Sequence, residues 1–218
     1  MTGPMYDVHE VFTSLQGEGT FAGTPAVFVR FSGCDQDCSF CDTPQHEDAH
    51  LVLDNDALVE RIDYEAHLND RQVRHLVLTG GEPMLQVDAE LLDALDRWDK
   101  LALVQIETNG HVAPKDDRLL VELNEDFRRW ITWSPKVLEA PKLPINEIKV
   151  LWPTPWGGDP TDVLGPWAAD VGDLSIQPML CSGAAICSKE MLRELQDWLE
   201  RNPGWSLSVQ LQKLLGWK

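Results

Sequence analysis

Short apolar and β-branched runs alternate along this chain with segments whose apolar residues recur at helical spacing. Residues 26–31, 75–79, 101–106, 130–133, 147–151 and 174–177 have the length and composition of strands. Residues 56–62, 88–98 and 189–199 carry the apolar repeat of helices. Strands alternating with helices imply a parallel sheet. Six strands with few helices between them, and unusual residues at the strand ends, predict an α/β fold. The form expected is a partial (β/α)6-type barrel with reduced helix content, not a closed eightfold one. A final segment, 205–210, reads as a candidate edge strand. The proline- and tryptophan-rich stretch 141–167 is the expected irregular loop. With no linker, repeat or low-complexity stretch, residues 1–218 are expected to form a single domain.

Composition narrows the class of function. A chain of 218 residues can bury a sizeable core without disulfide staples. Its five cysteines are an odd number, clustered and not spread in pairs, and Met1 to Tyr6 opens no apolar signal, so a reducing, cytoplasmic setting is expected. No apolar run approaches the roughly 20 residues needed to cross a bilayer. The net charge of -18, from 36 acidic and 18 basic residues, repels nucleic-acid phosphates and anionic membranes. The expected partner is therefore a small molecule. The acidic residues, among them Asp54, Asp56, Asp93, Asp96, Asp99, Asp116, Asp117, Glu122, Glu125 and Asp126, are scattered as on a solvated surface. Such a surface suits a high-salt cytosol, where counterions screen self-repulsion.

The strongest chemical signal lies in Gly33-Cys34-Asp35-Gln36-Asp37-Cys38-Ser39-Phe40-Cys41-Asp42-Thr43, where three cysteines form Cys-x-x-x-Cys-x-x-Cys. Three thiolates at this spacing can hold a [4Fe-4S] cluster and leave one iron open for chemistry. A zinc knuckle completed by His46 or His50 and a packed cysteine cluster are the alternatives. Structural zinc usually takes four protein ligands in two pairs, and no second Cys-x-x-Cys follows.

Further polar motifs fall at strand ends, where chemistry in α/β folds collects. Thr79-Gly80-Gly81-Glu82-Pro83 follows the second predicted strand, and its adjacent glycines let backbone N–H and C=O groups approach a ligand's ammonium and carboxylate. An ordinary tight turn is the simpler reading of that segment alone. Glu107-Thr108-Asn109-Gly110, Ser134-Pro135-Lys136 and Gln177-Pro178-Met179 end the third, fourth and sixth strands.

The cysteine loop, the Gly-Gly-Glu-Pro turn and Gln177-Pro178 resemble the radical S-adenosylmethionine superfamily, whose barrel the fold expectation matches. More narrowly, Phe12-Thr13-Ser14-Leu15-Gln16-Gly17-Glu18-Gly19, Phe28-Val29-Arg30, Cys41-Asp42-Thr43, Glu107 to Gly110, Ser134 to Lys136 and Leu207-Ser208-Val209-Gln210 resemble the 7-carboxy-7-deazaguanine synthase family from about Val8 onward. That resemblance implies conversion of 6-carboxy-5,6,7,8-tetrahydropterin to 7-carboxy-7-deazaguanine with loss of ammonia, a step toward queuosine and archaeosine in tRNA. It also implies a [4Fe-4S] cluster on Cys34, Cys38 and Cys41, S-adenosyl-L-methionine chelating the open iron, and Mg²⁺ on Thr43. Phe40, Asp42, Gly81, Ser134, Lys136 and Gln177 match cofactor-contacting positions. Leu15, Gln16, Gly17 and Thr79 match substrate contacts, and Lys218 occupies the C-terminal end that reaches substrate in the family.

Two charged residues complement such a substrate physically. A pterin's 2-amino and N3–H donors suit one carboxylate, which Glu18 supplies. Arg30, on an otherwise apolar strand, suits the substrate's carboxylate. A mutual Glu18–Arg30 salt bridge or solvent exposure is the alternative. Glu107 is the candidate for moving a proton at C7. One departure stands out: where the family ends in Thr-His-Lys, this chain reads Leu211-Gln212-Lys213, and Gln212 does not titrate near neutral pH. Cys181 and Cys187 match no motif. The resemblance further implies an electron donor such as flavodoxin or ferredoxin and a homodimer. The alternatives are an activase that installs a glycyl radical on a partner protein and a non-catalytic iron–sulfur protein.

Overall fold

The computed structural model describes residues 3–41, 50–179 and 188–217. Asp42, Thr43, His46, Cys181, Cys187 and Lys218 lie outside the described residues. The strands are β1 (Met5–Leu15), β2 (Pro25–Phe31), β3 (Leu51–Asp54), β4 (His75–Gly80), β5 (Leu103–Thr108), β6 (Arg129–Trp133), β7 (Glu147–Trp152), β8 (Asp173–Pro178) and β9 (Ser206–Leu207). The helices are α1 (Asn55–His67), α2 (Ala89–Asp96), α3 (Asp117–Glu125), α4 (Pro160–Ala168), α5 (Lys189–Arg201) and α6 (Leu211–Leu215). All strands join one sheet in the order β3-β1-β2-β4-β5-β6-β7-β8-β9. From β2 through β9 every pairing is parallel, while β1 runs antiparallel between β2 and β3. The six predicted strands are β2 and β4 to β8, which form the parallel, partial barrel.

Alternation along the strands sorts two kinds of surface. Val27, Val29, Phe31, Leu76, Leu78, Val104, Ile106 and Ile131 face outward into one core with Leu58 and Ile62 of α1, Leu91, Leu92 and Leu95 of α2, and Leu119 and Leu123 of α3. Ile148 and Val150 pack on Leu164 of α4, and Ile176 packs on Leu195 and Trp198 of α5. The intervening residues face inward, and most are polar: Thr79, Gln105, Glu107, Thr132, Glu147, Lys149, Ser175 and Gln177. Parallel strands covered on both faces are ordinarily apolar throughout. A polar inner face must be satisfied by its own hydrogen bonds or by a ligand.

Several elements depart from the sequence expectation. The long strand β1 escaped it because a bulge shifts register between Val8 and Glu10, which moves the buried positions from Tyr6 and Val8 to Val11 and Phe12. The stretch 141–167 is not a continuous irregular loop, since most of α4 lies in it, started by Asp159 as N-cap and Pro160 in the first turn. The acidic run around Asp116 contains α3, whose N-cap is Asp116 itself. The edge strand expected over 205–210 shrinks to β9, and the strand expected from residue 101 begins at Leu103.

The segment after β1 closes the bottom of the barrel. Thr20 donates its backbone N–H to Glu147 Oε1 at 2.9 Å, and Gly19 donates its own to Ser208 Oγ at 2.9 Å. Phe21 stands edge-on to His75, which begins β4, and to Trp130, the second residue of β6. Glu147 is fully buried and also accepts from Thr132 and Ser175 hydroxyls and the Trp130 indole N–H. Above this floor segment the lumen extends toward the C-terminal strand ends.

Candidate active site

A cavity of about 460 Å³ runs from the loops at the C-terminal strand ends down to the floor segment, within the size range of small-molecule sites. Its upper wall is the cysteine loop and the Gly80-Gly81 turn. The Gly81 N–H donates to the Phe31 carbonyl at 3.1 Å and the Glu82 N–H to the Gly33 carbonyl at 2.9 Å. A Cβ on Gly81 would strike the Gly33 carbonyl, and one on Gly80, at φ 123, would strike the Phe31 backbone. The paired glycines therefore let the turn lie directly against the cysteine loop.

Glu82, 1% exposed, is the peg of this rim. It accepts the Thr108 hydroxyl at 2.7 Å, the Asn109 N–H at 2.8 Å and the Met84 N–H at 3.0 Å. Burial pushes its carboxyl up to about 7, against these hydrogen bonds. Asn109 Nδ2 in turn donates to Asp35 Oδ1 at 2.7 Å, tying the end of β5 to the cysteine loop.

Cys34, Cys38 and Cys41 all line the cavity, and none of them is in a disulfide. Burial raises Cys34 and Cys38, and the Lys136 ammonium partly offsets this at Cys38. No three His, Cys, Asp or Glu side chains among the described residues converge on a single ion. A polynuclear cluster instead spreads its ligands over separate irons, so three neighbouring thiols beside an ammonium and an open, glycine-lined wall fit [4Fe-4S] ligation. The same rim carries Phe40, Gly81, Ser134, Lys136 and Gln177 at the cavity surface. Phe40 is half-buried there and belongs to no core cluster.

Below the rim the lining becomes charged. Leu15, Gln16, Gly17, Glu18, Arg30, Thr79 and Glu107 all reach the cavity. Glu18 and Arg30 do not pair with each other. Arg30 Nε meets Glu10 Oε1 at 3.1 Å, and its guanidinium lies 5.9 Å from the Phe12 ring centroid. Glu18 Oε2 meets Lys149 Nζ at 2.5 Å, and Oε1 accepts from the Gln210 and Gln212 amides at 2.8 and 3.2 Å. Glu107 Oε1 accepts from Gln16 Nε2 at 3.1 Å and lies 3.4 Å from Lys149, while Oε2 accepts the Thr79 hydroxyl at 3.1 Å. Burial works against charge on Lys149, yet Glu107, Glu18 and Glu147 outweigh it and raise its pKa.

Lys149 and Glu10 were not singled out from sequence, and Asn109 and Gln210 entered only as members of motifs, without a role. Lys149 carried a usable signal: it sits between Ile148 and Val150 on a strand, at the inward parity of Glu147. Glu10 carried none, and the partners of Asn109 and Gln210 could not be read from their motifs, because they lie far away along the chain. Gln210 and Gln212 reach Glu18 because the chain end returns to the floor segment, with the Leu211 N–H donating to the Gly17 carbonyl at 3.1 Å. A Cβ on Gly17 would overlap the Gln212 side chain.

The comparisons agree with this arrangement. Residues 28–131 match the Radical SAM superfamily. The 7-carboxy-7-deazaguanine synthase of Bacteroides thetaiotaomicron is 38% identical over 214 residues, covering 97% of this chain and 98% of that protein. The protein of the same name from Burkholderia multivorans is 36% identical over 233 residues, covering 96% and 98%. The crystal structure of QueE from Escherichia coli superposes with a TM-score of 0.65 at 25% identity, over 95% of this chain and 94% of that one. Similarity that spans both chains end to end, on a barrel whose rim brings the cysteine loop to a Gly-Gly turn, leads to one conclusion: the chain belongs to the 7-carboxy-7-deazaguanine synthase family of radical S-adenosylmethionine enzymes.

Proposed function

We propose that this protein converts 6-carboxy-5,6,7,8-tetrahydropterin to 7-carboxy-7-deazaguanine, with loss of ammonia, on the way to 7-deazapurines. The observation that carries the reading is the single cavity that joins the three-cysteine rim to a charged floor containing Glu18, Arg30, Glu107 and Lys149. A glycyl-radical activase would work on a polypeptide and gives no use to a closed floor. An electron-transfer protein gives no use to the Gly80-Gly81 wall. Neither alternative is favoured by the named relatives.

In this reading Cys34, Cys38 and Cys41 hold a [4Fe-4S] cluster, and Gly81, Ser134, Lys136, Gln177 and Phe40, with Asp42, hold S-adenosylmethionine. When bound, the two together supply one-electron cleavage to a 5′-deoxyadenosyl radical. The chain's own residues position and protect. Glu18 accepts the pterin's donor fork, Arg30 meets its carboxylate, and Leu15, Gln16, Gly17 and Thr79 line the ring. Glu107, hydrogen-bonded to Thr79, moves a proton at C7. The plugged floor excludes water from below. Thr43 ligates Mg²⁺ and Lys218 contacts the substrate. The protein works as a single-domain homodimer with a flavodoxin or ferredoxin as reductant.

Anaerobic reconstitution with iron, sulfide, S-adenosylmethionine and the carboxytetrahydropterin, followed by mass spectrometry, tests this. The expected products are 7-carboxy-7-deazaguanine and ammonia. Cofactor cleavage without a deazapurine would overturn the substrate. Thr43→Ala should lower turnover with iron content unchanged, and unaltered magnesium dependence would remove that ligand. Sedimentation as a monomer at micromolar concentration in high salt would remove the dimer.

A further inference from the structure

Lys149 is 5% exposed, and its ammonium stands between carboxylates from two other elements, 2.5 Å from Glu18 Oε2 and 3.4 Å from Glu107 Oε1. The charged groups near it are Glu18 from the segment after β1, Glu107 from β5 and Glu147 from its own strand. His75 of β4, near Glu107, is held neutral by burial. Among the described residues, the hydrogen-bonding side chains Gln16 and Thr79 at Glu107 and Gln210 and Gln212 at Glu18 are neutral. Two acids facing one cavity thus share one ammonium among the described residues, and it offsets their mutual repulsion.

The contacts at Glu18 indicate what the arrangement is for. Two amide N–H donors, from Gln210 and Gln212, converge on Oε1, in the manner of a ligand's paired N–H groups. Gln212 Oε1, buried in the same place, has no hydrogen-bond partner. A ligand with several N–H donors would exchange with the amides and satisfy that oxygen, provided Glu18 stays anionic. We propose that Lys149 is a positioning residue whose ammonium fixes Glu18 as an anionic acceptor for the pterin's N–H donors and links it to Glu107. This deepens the substrate reading given above and rests on it.

The test is equilibrium binding of 6-carboxy-5,6,7,8-tetrahydropterin to the reconstituted holoenzyme, under anaerobic conditions from about pH 6 to 9. Lys149→Met should weaken binding roughly 30-fold or more at neutral pH, as expected for stranding a buried charge partner. If the ammonium is what keeps Glu18 anionic, affinity of the variant should recover as pH rises while the wild type stays flat. In a Glu18→Gln background the same change should add little, since its partner is already gone. If Lys149→Met does not fold, the double variant, which leaves no stranded Glu18 charge, carries the comparison with Glu18→Gln. A folded Lys149→Met protein that binds like wild type across the range, or two changes that simply add, would overturn the role of Lys149 alone. No binding by the wild type would overturn the substrate reading and this inference with it.

Discussion

Arg30 and Glu10 face each other as register partners across β1 and β2, with Arg30 Nε 3.1 Å from Glu10 Oε1. Glu10 thus holds the guanidinium by its side. A carboxylate arriving end-on meets the paired Nη atoms, the bidentate geometry that arginine favours. The cross-strand bulge just before Glu10 is what brings that side chain to the inner face. Arg30→Ala should therefore weaken the substrate by roughly 30-fold or more, the cost of losing a charged partner in a desolvated site. Glu10→Ala, which loosens Arg30 without removing it, should cost less, roughly 3- to 10-fold, the worth of one partly exposed pair. Michaelis constants for the two variants check this, and equal losses would refute the distinction.

Replacing Cys34, Cys38 or Cys41 with Ala should abolish both the brown chromophore and cleavage of S-adenosylmethionine. The three thiols lie in one loop at the cavity rim, and a cluster deprived of one of only three protein ligands is not retained. Iron analysis and visible absorption are the measurements. A full cluster in the Cys38→Ala protein would refute the ligand set.

Glu147 ties the floor segment to the barrel through the Thr20 N–H and through groups on β6 and β8. In Glu147→Gln an amide N–H₂ must face donors that a carboxylate accepted. The expected cost is about 1–3 kcal/mol, or roughly 2–4 °C of melting temperature per kcal/mol for a chain of this size. Since Glu18 is carried on the segment that Glu147 anchors, pterin affinity should fall with stability. Thermal unfolding of the variant unchanged from wild type would show that the floor does not depend on this anchor.

His75, at the start of β4, is 8% exposed, and burial lowers its pKa to about 4, partly offset by Gln105 and the Glu107 charge. The folded state then binds fewer protons than the unfolded state between about pH 6.5 and 4. Its contribution to stability is full above the upper value and is lost as pH falls toward the lower one. His75→Gln should flatten this acid limb by up to about 3 kcal/mol. Denaturant unfolding of both proteins at pH 7 and pH 4.5 measures it, and parallel losses would exclude His75 as the source.

Local spacing was enough for part of this protein. The cysteine loop needs only eight consecutive residues, Cys34 to Cys41, to present three thiols, so its chemistry is written in one segment. The paired glycines at 80–81 and the six parallel strands are likewise local, since turn conformation and strand alternation depend on near neighbours. The bulged strand β1 is where local reading failed, because a single extra residue reverses which face each later side chain takes.

The charged floor was decided only by the tertiary structure. Lys149 and Glu18 are 131 residues apart, and Gln210 and Glu18 are 192 apart. What brings them together is the order of strands, the inward parity of β7 and the return of the chain end to Gly17. From sequence a mutual Glu18–Arg30 pair was one alternative to substrate contacts, and the sheet instead gives each a different partner, Lys149 and Glu10. The physical reason is that an ion pair forms wherever burial leaves opposite charges within reach, and reach is set by the curvature and closure of the sheet rather than by propensity along the chain.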